Sequence, residues 1–135
     1  MNHFTAIDHI GIAVTDIDEA IAFYATMFGV SQWEHISLPE RAMRVAVARY
    51  GDSAVELIAP TSADAAFAKY LAEKGPGMHH IAYRVENIDA SLAALKAQGL
   101  RLIDEVARPG LHGTRVAFVH PKATMGTLIE LVEHV

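Results

Sequence analysis

Two short stretches of the chain place a histidine at the start of an apolar, strand-like segment. The first is Asp8-His9-Ile10-Gly11-Ile12, and the second is Gly77-Met78-His79-His80-Ile81. Each is followed by a helix-like segment and then by a strand-like segment with one acid among aliphatic residues, Glu56 in the first copy and Glu130 in the second. Imidazoles and carboxylates are common ligands of divalent metal ions. The pattern therefore predicts a site assembled from two copies of one module.

A shared divalent cation explains why both copies carry a glutamate. Glutamate is unfavourable in a strand interior and is almost never fully buried without a partner. Two neutral imidazoles and two carboxylates offer two nitrogens, two oxygens and two negative charges, a set that suits Zn²⁺, Co²⁺, Mn²⁺, Ni²⁺ or Fe²⁺. The predicted metal ligands are His9, Glu56, His80 and Glu130.

Each of these residues also has a structural interpretation. A single histidine on a strand is usually a hydrogen-bonded core or surface residue, and a single glutamate usually lies on an exposed face. The repeat pairs all four residues, and this pairing favours the metal site. His79 is expected to face away from His80, because neighbours on a strand point to opposite sides. Surface or structural roles are expected for the other histidines: His3, His35, His112, His120 and His134.

The periodicity of apolar residues assigns to each half of the chain the order β-α-β-β-β, which is α+β in class. The two modules span residues 5–59 and 78–134, and a connector helix capped by Ser62 spans residues 62–74. Asp16 with Glu19 predicts a helix N-terminus, and Gly29 predicts its left-handed end. Further strands are predicted at residues 7–14, 30–37, 43–50, 54–59, 100–106, 115–119 and 127–132. Because a four-stranded sheet is marginal alone, we expect one domain whose sheet curves around a metal-binding cleft.

Composition excludes several classes of function. The 135 residues carry a net charge of −5, so no general attraction to nucleic acid or to an anionic membrane is expected. The absence of cysteine rules out disulfides, thiolate nucleophiles and sulfur metal ligands. The first residues lack the basic and apolar segments of a signal peptide, and no apolar run is long enough to span a bilayer. These features predict a cytoplasmic protein.

The paired modules resemble the vicinal-oxygen-chelate superfamily, which includes glyoxalase I, extradiol dioxygenases and antibiotic-resistance proteins. The resemblance rests on Asp8-His9-Ile10 and His79-His80-Ile81 and extends from Ile7 to Glu133. Within the superfamily, the chain resembles the methylmalonyl-CoA epimerases. The most specific matching segments are residues 77–85, 99–104, 120–122 and 128–131.

The resemblance implies a metal ion, often cobalt, held by His9, Glu56, His80 and Glu130. Position 56 can be glutamine in the family, so Glu56 would add a negative charge here. The implied reaction interconverts (2R)- and (2S)-methylmalonyl-CoA through a metal-stabilised enolate. The family's non-ligating glutamate maps to Glu40, and Glu40 and Glu130 would then be the two acid/base groups. The chain departs from the family pattern next to Glu40, where Arg41-Ala42 replaces Gln-Gly.

Two other functions on this scaffold stay open at the level of the sequence. One is a glyoxalase I-type isomerase or another metalloenzyme of the superfamily, and the other is a non-catalytic drug-binding module. An acyl-CoA substrate would require cations for its phosphates, for which Arg41, Arg115 and Lys122 are candidates. A homodimer is expected, because a second subunit often covers the exposed strand edges of such modules.

Overall fold

A computed structural model describes residues 4–135 of the chain. The first half contains the strands β1 (Phe4–Ala13), β2 (Glu34–Leu38), β3 (Met43–Tyr50) and β4 (Ser53–Pro60), with the helices α1 (Ile17–Phe28) and α2 (Ala68–Lys74). The second half contains the strands β5 (Gly77–Val85), β6 (Arg108–Pro109), β7 (Arg115–Val119) and β8 (Ile129–Glu133), with the helix α3 (Ile88–Ala97). Short 3-10 turns occupy Pro39–Arg41, Leu111–Gly113 and Pro121–Ala123.

The chain forms two compact units whose boundaries fall inside strands. One unit comprises the chain up to His9 together with His80–Val135, and the other comprises Ile10–His79. We call them the His80–Val135 unit and the Ile10–His79 unit. The predicted division into modules at residues 5–59 and 78–134 stays a prediction.

In the Ile10–His79 unit the strands follow the order β2-β3-β4-β1. The β2/β3 and β3/β4 pairs are antiparallel, and Met43–Tyr50 has the bounds that the sequence predicts. The helix α1 lies against the sheet over a core formed by Val14, Ile17, Ala46, Leu57 and Ala59. The amphipathic stripe of α1 and the alternation along β4 therefore bury the same cluster.

The predicted start and end of α1 are both confirmed. The Asp16 carboxylate accepts a hydrogen bond from the backbone N–H of Glu19 at 3.0 Å, which satisfies a donor that the first helical turn cannot pair. Gly29 ends the helix with φ of 68°, a left-handed conformation that glycine adopts without a Cβ clash.

In the His80–Val135 unit the strands follow the order β1-β5-β8-β7-β6. The β5/β8 pair is parallel and places Ala82 opposite Glu130. The β7/β8 pair is antiparallel and places Phe118 opposite Glu130. On the other face, α3 closes a core formed by Val85, Ile88, Leu92, Ala117 and Leu131. The Asn87 side chain caps α3 by accepting from Ala90 N at 2.9 Å, as Asp16 caps α1.

Three sequence predictions of secondary structure are wrong in extent. The predicted strand at residues 100–106 contains only a single bridge, between Leu102 and Val119. The Asp104 carboxylate accepts from the backbone N–H of Phe118 at 2.8 Å, so a side chain takes a donor that a strand neighbour would use. The connector helix starts at Ala68 rather than near Ser62. The strand predicted from Val30 starts at Glu34, and in the irregular segment before it the Trp33 indole donates to the Val30 carbonyl at 3.0 Å.

Of the helices within residues 4–135, none combines the length and the apolar character that crossing a membrane requires.

Candidate metal centre

Three side chains from adjacent strands of the His80–Val135 unit converge on one point. His9 lies on β1, His80 on β5 and Glu130 on β8. His9 Nε2 lies 3.2 Å from His80 Nε2 and 3.1 Å from Glu130 Oε1, and His80 Nε2 lies 3.0 Å from the same oxygen. All three residues are buried. The structure therefore brings together three of the four ligands that the sequence predicts.

The strand register explains why His80 and Glu130 meet. Glu130 lies opposite Ala82, and His80 shares the face of Ala82 because it precedes it by two residues. The two side chains therefore lie on one face of neighbouring strands and can reach each other across the β5/β8 pair. The neighbouring Leu131 points to the other face and is fully buried in the core beneath α3. The packing of that core thus fixes which face Glu130 occupies.

The donor set fits a divalent metal ion. Three donors at right angles around an ion with bonds of about 2.1 Å lie about 3.0 Å apart, close to the separations found here. Two imidazole nitrogens and one carboxylate oxygen in this arrangement form a face that leaves other coordination positions open. His9, His80 and Glu130 also form the group of possible metal ligands found among residues 4–135.

The Glu130 carboxylate is held in its charged form. Burial raises its pKa, but the hydrogen bonds and positive charge of His80 and His9 outweigh the burial and lower the pKa to about 2. The charged carboxylate is the form that binds a metal ion. It is also a weak proton acceptor near neutral pH, because proton transfer is most efficient when the pKa of the group lies near the working pH.

A second buried carboxylate lies directly behind the site. Asp8 Oδ2 accepts from His9 Nδ1 at 2.8 Å, while Asp8 Oδ1 accepts from Arg84 and from His134 Nε2. Burial raises the pKa of Asp8, but these hydrogen bonds outweigh it, so the pKa lies well below its ordinary value. Asp8 is therefore an ionised hydrogen-bond acceptor at neutral pH.

The sequence did not single out these residues behind the site. Neighbours on a strand normally face opposite sides, yet Asp8 and His9 contact each other through Asp8 Oδ2 and His9 Nδ1. Arg84 is the one residue of this group that the sequence places near the site, because it lies four residues after His80 on β5 and so shares its face. His134 is exposed, as expected, but it also contacts Asp8.

The other two predicted site residues, Glu56 and Glu40, lie in the Ile10–His79 unit. Glu56 is on β4, half-buried and opposite Val47. Glu40 is exposed in the 3-10 turn Pro39–Arg41. The role of Glu56 as a ligand and that of Glu40 as an acid or base stay predictions.

The remaining histidines have structural or surface positions in the part of the chain that the structure describes. The His79 ring packs edge-on against Phe67 and Tyr70, with centroids 5.6 and 5.9 Å away. His120 Nδ1 accepts from the backbone N–H of Lys122. His35 and His112 are exposed, and His3 lies outside the described residues.

A family sequence profile and individual sequence relatives assign the chain to the same family. Residues 8–118 match the sequence profile of the Glyoxalase/Bleomycin resistance protein/Dioxygenase superfamily. The chain is 38% identical over 126 residues to the mitochondrial methylmalonyl-CoA epimerase of Homo sapiens, covering 93% of this chain and 72% of that protein.

Solved structures agree with the sequence relatives. The crystal structure of methylmalonyl-CoA epimerase from Mycobacterium tuberculosis superposes with a TM-score of 0.93 at 36% identity, covering 100% of this chain and 91% of that one. A methylmalonyl-CoA epimerase in complex with methylmalonyl-CoA and NH4+ superposes with a TM-score of 0.90 at 36% identity, covering 98% of this chain and 96% of that one. The predicted α+β fold of the vicinal-oxygen-chelate type is confirmed.

Replacing His80 by alanine should abolish tight metal binding. Removal of one donor leaves two of the three clustered ligands, and the loss of affinity should exceed the about 10–100-fold that follows removal of an outer partner. Metal content after dialysis, measured by plasma emission spectroscopy, reports the change. His79→Ala is the matched control, because His79 packs on Phe67 and Tyr70, and it should retain the metal. Equal metal content in the two variants would contradict the assigned cluster.

Proposed function

The chain belongs to the Glyoxalase/Bleomycin resistance protein/Dioxygenase superfamily, and we propose from this that it is a metal-dependent epimerase interconverting (2R)- and (2S)-methylmalonyl-CoA. One observation carries the proposal. A buried cluster of His9, His80 and Glu130 occurs in a chain that is similar over its whole length to a methylmalonyl-CoA epimerase.

The reaction requires the α-carbon of the substrate to lose a proton on one face and to regain one on the other. This carbon lies between a thioester and a carboxylate, so its conjugate base is an enolate with negative charge on oxygen. A divalent ion held by His9, His80 and Glu130 would supply the positive charge that stabilises this oxygen charge as it develops. The three buried ligands hold that charge on rigid strands, so little reorganisation is needed during the reaction.

Two proton carriers are needed, one for each face of the substrate. We assign one role to Glu40, whose side chain is exposed in the turn Pro39–Arg41. Glu130 is the candidate for the second role. The hydrogen bonds that lower the pKa of Glu130 to about 2 favour its role as a ligand over its role as a base. The role of Glu130 as a ligand is thus the better supported of the two.

Cobalt is the proposed native metal, with Zn²⁺, Mn²⁺ and Ni²⁺ as alternatives. Two imidazole nitrogens and one carboxylate oxygen within 3.2 Å of one another would suit Co²⁺, Mn²⁺ and Ni²⁺ as well as Zn²⁺. Glu56 is proposed as the fourth protein ligand. Its carboxylate would give the site a second negative charge and would favour the hard divalent ions in this set.

The acyl-CoA substrate brings phosphates that need cationic partners. Arg115 is less suited to this role than the sequence suggests, because its guanidinium makes two hydrogen bonds of 2.9 Å to the Asp89 carboxylate. Lys122 is exposed and remains a candidate. A homodimer and a cytoplasmic location also stay predictions from the sequence.

In D₂O, the metal-replete protein should transfer solvent deuterium to the α-carbon of methylmalonyl-CoA. Treatment with a chelator should lower the exchange rate by about 10²-fold or more, because the group that stabilises the oxyanion is removed. Addition of the metal should restore the rate, and mass spectrometry or ¹H NMR follows the label. Absence of exchange in metal-replete protein would contradict the assignment. Turnover of a glutathione hemithioacetal in its place would indicate a glyoxalase-type isomerase.

Replacing Glu40 by glutamine should separate proton exchange from inversion. Epimerisation should fall by about 10²–10⁴-fold, the usual contribution of a general acid or base. One epimer should still exchange its α-proton, because the carrier on the opposite face remains. Deuterium uptake is measured separately from each pure epimer, together with metal content, which should not change.

The matched control for this experiment is Glu73→Gln. Glu73 is an exposed acid of α2. Among the described residues it forms one ion pair, in which its Oε1 lies 4.0 Å from Lys69 Nζ. If Glu40→Gln exchanges the α-protons of both epimers at the wild-type rate, the role of Glu40 is refuted.

A further inference from the structure

The ring of His9 is held from both sides by different groups. On one side, His9 Nε2 faces His80 and Glu130. On the other side, His9 Nδ1 lies 2.8 Å from Asp8 Oδ2, and Asp8 is only 6% exposed. Asp8 therefore acts on the site indirectly, through His9 Nδ1, the ring nitrogen that does not face His80 and Glu130.

This contact determines which nitrogen of His9 carries the proton. An ionised carboxylate can only accept hydrogen bonds, so His9 Nδ1 must be the donor. When the ring is neutral, as metal binding requires, Nε2 is the unprotonated nitrogen, and its lone pair faces the other two predicted ligands. Metal ligation requires this tautomer, because only an unprotonated nitrogen can bind the ion.

The other oxygen of Asp8 is fixed by two further side chains. Arg84 Nε donates to Asp8 Oδ1 at 3.0 Å, and Arg84 Nη2 forms an ion pair with the same oxygen at 3.0 Å. The His134 ring contacts the same oxygen through Nε2. Charge-assisted hydrogen bonds of this kind are stronger than neutral ones and hold the carboxylate plane in one orientation. Asp8 Oδ2 is thereby directed at His9.

We infer that Asp8 is the positioning residue of the metal centre and that Arg84 and His134 anchor it. The inference rests on the proposed metal centre. Asp8 acts by orienting His9 and by selecting its tautomer, and it contacts neither the ion nor the substrate in this role.

Replacing Asp8 by asparagine should reverse the tautomer of His9. An amide has one acceptor oxygen and one donor nitrogen. Arg84 and His134 both donate on the side of Oδ1, so the amide oxygen stays there and the NH₂ group faces His9. His9 Nδ1 must then accept, which moves the ring proton to Nε2 and blocks the position where the ion binds.

The first test is the affinity of the full chain for Zn²⁺, measured by competition with a chromophoric chelator. Asp8→Asn should bind Zn²⁺ about 10–100-fold more weakly than wild type. Arg84→Gln should bind Zn²⁺ about tenfold more weakly than wild type, at the low end of that range, because the Asp8 carboxylate remains but is less constrained. This second variant decides the question if Asp8→Asn does not fold.

The matched control is Asp89→Asn. Asp89 is a carboxylate of the same unit that, like Asp8, pairs with an arginine, accepting two hydrogen bonds of 2.9 Å from Arg115. It does not belong to the hydrogen-bonded group around His9, so its substitution should leave the affinity for Zn²⁺ unchanged. A loss in this control equal to that in Asp8→Asn would attribute the effect to general destabilisation and overturn the inference.

A second readout reports the tautomer directly. In zinc-loaded protein labelled with ¹⁵N-histidine, wild type should show a protonated Nδ1 on the His9 ring, assigned by comparison with His9→Gln. In Asp8→Asn this signal should disappear or lose its protection from exchange. A folded Asp8→Asn that keeps the wild-type affinity and the wild-type Nδ1 signal would overturn the inference.

The experiment separates this inference from the proposed function. If wild type binds Zn²⁺ and catalyses α-proton exchange while Asp8→Asn binds equally well, only the role of Asp8 is refuted. If wild type binds no Zn²⁺, or if His80→Ala binds it as well as wild type, the metal centre and the role of Asp8 both fall.

Discussion

Two imidazole nitrogens and a carboxylate oxygen lie within 3.2 Å of one another in a buried place, and the rest of the site depends on this contact. Their lone pairs and negative charge repel one another unless a proton or a cation lies among them. A surface cluster of this kind would relax into solvent. Here the three side chains lie on strands, so the backbone keeps them together, and the proposed affinity for a cation would follow from the fold.

The opposite face of the sheet supports this arrangement. Successive side chains of β8 face opposite sides of the sheet, so Glu130 lies at the site and Leu131 packs in the core with Ile88 and Leu92 of α3. A slip of one residue would exchange the two faces and bury Glu130 in an apolar cluster. Beside the ligands, small or branched residues such as Ala82 and Val132 fill the site face. Apolar packing thus holds the strand register that the chemistry requires.

Much of this organisation could be predicted because it is periodic or repeated. The repeat singled out His9, His80 and Glu130, and capping signals located the ends of α1. The position of Asp8 could not be predicted in the same way, since the rule of alternation places it on the face opposite to His9. The contact of His134 depends on where the chain end passes in space, which sequence spacing does not encode. The strand predicted at residues 100–106 failed because the Asp104 side chain competes for a backbone donor that periodicity does not take into account.

One divalent ion is proposed to bind where His9, His80 and Glu130 meet. A crystal structure of the cobalt-loaded protein, with anomalous differences collected on both sides of the cobalt edge, would show where the ion lies. We expect a single strong anomalous peak about 2.0–2.2 Å from His9 Nε2, His80 Nε2 and a Glu130 oxygen. A fully loaded protein whose cobalt peak lies elsewhere, with these three side chains still hydrogen-bonded to one another, would contradict it.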